Sequence, residues 1–73
     1  MAQYQQRFGD CEIRIDLQAE HGGHAARLFL VTPIGLSPVL NEQAQPIVVS
    51  ARTAALTYLA AVQYLTERFG PTK

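Results

Sequence analysis

The sequence predicts an α+β domain: an antiparallel sheet of three strands, or four if residues 33–45 add one, with one long C-terminal helix packed on one face. Three observations predict it. Cys11 to Gln18 alternates between apolar and polar residues without a break, the period of a half-buried strand. Gly22-Gly23 comes next, and two adjacent glycines signal a two-residue hairpin turn, because such turns demand positive φ. From Ser50 to Phe69 apolar residues recur at helical spacing, and Gly70-Pro71 closes the run, with glycine suited to the position past a helix end and proline unable to continue.

Length and composition bound the rest. The 73 residues have room for one domain, 1–73, with one small core. Domains of this size lean on disulfides, a metal or oligomerisation, and Cys11 is the single cysteine, so an internal disulfide is excluded. Six basic and six acidic residues cancel, leaving no overall field to draw nucleic acid or a membrane surface. An apolar fraction of 48% belongs to a folded chain. The polar start, Met1-Ala-Gln-Tyr-Gln-Gln-Arg7, has no apolar core of a signal peptide behind it, and no apolar run reaches membrane-spanning length. A cytoplasmic protein is the simplest expectation.

Taken in order, residues 1–9 are polar with two aromatics, Tyr4 and Phe8, and read as a frayed tail or as the beginning of a strand. Gly9-Asp10 reads as a bulge or turn. In the first clear strand Cys11, Ile13, Ile15 and Leu17 point one way and Glu12, Arg14, Asp16 and Gln18 the other. With Gly22-Gly23 as the loop, counting outward sets His21 opposite His24, Leu17 opposite Leu28 and Ile15 opposite Leu30, which places Ile13, Ile15, Leu17, Leu28 and Leu30 on one face. Pro33, Gly35 and Pro38 interrupt the stretch after the returning strand; Val39-Leu40 is the candidate for an extra edge strand. Pro46 to Ser50 is short and β-branched, with proline tolerated at a strand's first position. In the helix the apolar stripe is Ala55, Tyr58, Leu59, Val62, Leu65 and Phe69, with Ser50 or Thr53 as cap. The expected core is Leu17, Leu28, Leu30, Leu59 and Val62.

Three groups of residues invite a functional reading. His21 and His24, facing each other across the turn with Glu20 adjacent, are the candidate metal ligands, since imidazole suits zinc, copper and nickel; a structural site wants four ligands, and Cys11 lies far along the strand. Solvated turn histidines are the plainer reading. Cys11 shares the apolar face of Ile13 and Ile15, as a small buried thiol would. The outer face of the hairpin carries Arg14, Asp16, Arg27, Phe29 and Val31, joined by Tyr4 and Phe8 if the first strand starts early. Apolar groups there call for a cover or a partner. Arginines beside aromatics also fit a single-stranded nucleic acid, stacked bases lying on the rings, although Asp10, Glu12 and Asp16 on the same face repel phosphate.

No nucleophile elbow, phosphate-binding glycine loop or H-E-x-x-H is present in the sequence, and no cofactor is expected. In element order the chain resembles two small families, the single-stranded-DNA-binding transcriptional coactivators and antitoxins with a three-stranded sheet and a helix; fold does not imply function. The expectation is a non-enzymatic interaction module acting as a homodimer. The alternatives are a nucleic-acid-binding module using the outer sheet face, and a small metal-binding or subunit-interface enzyme.

Overall fold

Backbone geometry at a few glycines decides how the elements meet. The structure, a computed structural model, describes residues 2–72; residues 1 and 73 of the expected domain lie outside them. The strands are β1 (Ala2–Phe8), β2 (Cys11–Glu20), β3 (Gly23–Thr32), β4 (Gly35–Pro38) and β5 (Val48–Ala51), followed by helix α1 (Ala54–Phe69). They form one antiparallel sheet in the order β1-β2-β3-β4, with β5 also paired to β3. The helix packs on one face of the sheet.

The β2–β3 hairpin differs from the counted register by two residues. Its loop is His21-Gly22, so Glu20 pairs with Gly23, Ala19 with His24, Leu17 with Ala26 and Ile15 with Leu28. Gly22 supplies the one positive φ of the turn, 84°. Gly23 serves a different need: a Cβ there would lie 2.5 Å from the carbonyl oxygen of Ala51. The second glycine admits the end of β5, and the turn shifts back to make that possible. A shift of two leaves every side chain on its face, and Ile13, Ile15, Leu17 and Leu28 are buried together as the alternation requires.

β1 is a full strand, and the tight turn Gly9-Asp10 pairs Phe8 with Cys11, Gln6 with Ile13 and Tyr4 with Ile15. Residues paired across an antiparallel ladder share a face. Tyr4 and Phe8 therefore lie on the helix side and not on the outer face, a correction to the expected grouping. The cause is the turn itself: an even-length loop between Phe8 and Cys11 swaps the parity of the two strands. Phe8 is fully buried in the core.

The edge of β3 is covered twice. β4 pairs with its second half, Phe29 to Thr32, and β5 with its first half, His24 to Arg27. Between them Val39, buried, donates its N–H to Leu28 at 2.9 Å and accepts from Ile47 at 3.0 Å. Residues 40–46 loop outward around Asn41, whose side-chain oxygen accepts from the N–H groups of Gln43 and Gln45 at 2.9 and 3.0 Å. The extra strand thus sits at Gly35–Pro38 rather than at Val39-Leu40, which extends it only as far as the bridge from Leu40 to Pro46.

Helix α1 begins where Thr53 caps it, its hydroxyl oxygen accepting from the Leu56 N–H at 3.1 Å. It ends at Gly70, with φ 117°, whose N–H reaches Thr66 at 3.0 Å. Its buried ridge is Thr57, Ala61 and Leu65. Ala61 lets the helix come close to the sheet, and the Thr57 hydroxyl is satisfied by the Thr53 carbonyl at 2.7 Å. Tyr58, Val62, Tyr64, Phe69 and Leu30 pack against the core from its margin. Leu59, expected in the core, is 61% exposed.

Candidate interaction surfaces

Among the described residues no layer covers the outer face of the sheet, and its cross-strand rows divide it in two. One row runs Gln3, Asp16, Arg27, Val48, and the next Gln5, Arg14, Phe29, Pro38. The charged half lies over β1 and β2, where Arg14 is bound to Asp16 at 2.8 Å and Gln5 donates to Glu12 at 2.9 Å. Arg27 reaches the Gln18 side-chain oxygen at 3.3 Å. The apolar half lies over β3, β4 and β5: half-buried Phe29 and Val31, with Leu36 46% and Val48 50% exposed. Arg14, Arg27, Phe29 and Val31 do share one face. Tyr4 and Phe8, on the opposite side, leave that face with Phe29 as its single aromatic among the described residues. Sequence reasoning missed Leu36, Pro38 and Val48, because the stretch that carries the first two is rich in breakers; a pairing of residues 35–38 with 29–32 was the signal that would have placed them.

A second uncovered area lies on the helix. Tyr58 leans toward β1, its ring centroid 4.8 Å from that of Tyr4 with the planes at 55°, and its hydroxyl is bonded by the Gln6 amide. Ala55 and Val62 adjoin Tyr58 at helical spacing, and Leu59 adjoins both of them in turn. The apolar stripe read from the sequence is therefore real, but it is centred over the β1 side of the sheet, while the ridge that faces the sheet is the smaller Thr57, Ala61, Leu65 set. Leu56, at 53% exposure, extends the apolar surface across the outer side of the helix.

The two histidines are not a facing pair. His21 is exposed in the turn, whereas His24 pairs with Ala19 and Ala51 on the helix side of the sheet. The Nδ1 atom of His24 is buried without a hydrogen-bond partner. Among the described residues no group of three or more His, Cys, Asp or Glu side chains is placed to hold a metal ion. Cys11 packs, partly buried, against the core. No helix among the described residues is long and apolar enough to cross a membrane. No family model, curated protein or solved structure matches the chain.

Proposed function

We propose that the protein is a non-enzymatic, cytoplasmic interaction module that works as a homodimer. The observation that supports this reading best is the offset between the apolar stripe of α1 and the ridge it buries. An exposed leucine by itself is ordinary. Here Ala55 and Leu59 stand in the open beside half-buried Tyr58 and Val62 on one side of a single helix, in a chain of zero net charge that does not repel its own copies. Twofold pairing is the commonest way for such a surface to be covered. The nucleic-acid reading draws less support, since Arg14 is neutralised by Asp16 and the aromatics needed for stacking are divided between two faces. Sedimentation equilibrium at micromolar concentration tests the proposal: a mass of twice 8.0 kDa is expected, and a mass of 8.0 kDa throughout defeats it.

A further inference from the structure

We infer that the second copy docks at the free edge of β1, the two β1 strands pairing antiparallel about a twofold axis at Tyr4. The inference rests on the homodimer reading and adds where the interface lies.

The sheet has two edges, and they differ. On the far side β4 and β5 are short, are separated by the excursion of residues 40–46, and carry Pro38 and Pro46 on or beside the edge. Proline and broken strands are the usual protection of a sheet edge. β1 has seven residues, no proline, no glycine and one charge, Arg7. Its outward backbone groups can be identified. Gly9 donates its N–H to Pro71 at 3.0 Å, and Phe8 is bridged to Thr72, so the short tail runs along the outer edge beside Phe8. By the alternation of an antiparallel ladder, the N–H and C=O groups of Gln3 and Gln5 turn outward too, while those of Tyr4 and Gln6 turn to β2. Residues 71–72 cover the edge beyond Arg7, and among the described residues nothing pairs with the outward groups of Gln3 and Gln5.

That opening selects its occupant. An axis at Tyr4 sets Gln3 opposite Gln5 of the second copy, each pair exchanging both backbone bonds, and Ala2 opposite Gln6, clear of Thr72. The Arg7 side chains of the two copies fall at opposite ends of the ladder and do not meet. On the outer face the glutamine amides are self-complementary, each offering a donor and an acceptor. On the other face Tyr4 and the apolar flank of α1 lie over the same edge. A foreign strand would satisfy the backbone alone, whereas a twofold axis brings an equal apolar flank to meet this one.

Sedimentation equilibrium separates the outcomes. Wild type is expected at twice 8.0 kDa, and Gln5→Pro, which removes an outward N–H and keeps the bonds to β2, at half that mass with an unchanged far-UV spectrum. Monomeric wild type overturns both the homodimer reading and this inference. A dimer that persists in folded Gln5→Pro overturns the inference alone and leaves the α1 flank or the outer sheet face as the interface, which Leu59→Lys and Val48→Lys tell apart. Should Gln5→Pro not fold, Tyr4→Cys in a Cys11→Ser background decides. Facing α-carbons in a non-hydrogen-bonded pair lie about 4.5 Å apart, inside the range of about 4.4–6.8 Å that a disulfide spans. Diamide oxidation is expected to give a covalent dimer on a non-reducing gel; a chain that stays monomeric there overturns edge pairing.

Discussion

Gly9 rests its α-carbon against the carbonyl of Phe69, with no room between them for a Cβ. The same glycine has φ 59°, so both its conformation and its surroundings exclude a side chain. On the other side of the contact Gly70, also at positive φ, would place a Cβ 3.2 Å from the Gly9 α-carbon. Two glycines thus seat the end of α1 on the first turn of the sheet. Gly9→Ala is expected to lower stability by at least ~2 kcal/mol, from strain plus displacement of backbone. Urea titration followed by circular dichroism measures it; a loss under ~0.5 kcal/mol would show that the helix end can move away freely.

The two glycines of the second hairpin are expected to behave differently. Gly22 has positive φ but open space around it, so Gly22→Ala should cost about 1 kcal/mol. Gly23→Ala drives a Cβ into the Ala51 carbonyl and should cost more while loosening β5. Amide exchange at Val49 and Ala51 distinguishes them, fast in the second variant and near wild type in the first.

Leu65 and Leu59 offer the matching test for the helix. Leu65 is fully buried, and Leu65→Ala should cost about 2–5 kcal/mol. Leu59→Ala should cost ~0.5 kcal/mol or less when the chain is dilute and monomeric. At concentrations where copies associate, its penalty should grow, because binding adds to apparent stability. A melting temperature that is equally insensitive to Leu59→Ala at low and high concentration removes Leu59 from any interface.

Thr53 makes the one side-chain cap at the start of α1, and Thr53→Ala should lose about 1 kcal/mol. Thr53→Ser, which keeps the accepting oxygen, should recover most of it. Thermal melts of the two variants side by side check the difference.

Much of this fold was legible in the sequence. Alternation in Cys11–Gln18 placed Ile13, Ile15 and Leu17 correctly, because parity survives a register error of two. The register was not legible: whether Leu17 faces Leu28 or Ala26 is decided by the approach of Ala51 to Gly23, a contact between distant parts of the chain. β1 was ambiguous because its burial is carried by Phe8 at one end, the rest being rich in glutamine. β4 has a breaker-rich composition and forms because the second half of β3 needs a partner. The existence and ends of α1 were plain from its periodicity and caps. Its rotation was not, since an apolar stripe records everything a helix touches and cannot separate its own sheet from a second surface. Of the candidate sites, the outer-face arginines with Phe29 and Val31 were found together, while Tyr4 and Phe8 were displaced by the parity of one tight turn.

The bridge between Phe8 and Thr72 and the bond from Gly9 to Pro71 join opposite ends of the described chain. On a ribosome the hairpin of β1 and β2 emerges before the helix, with Ile13, Ile15 and Leu17 bare on one side until α1 follows. The helix that shelters those side chains cannot seat until Phe69 and Pro71 have left the exit tunnel. The nascent chain therefore passes through an interval in which the apolar face of that hairpin is complete and its cover is still being made.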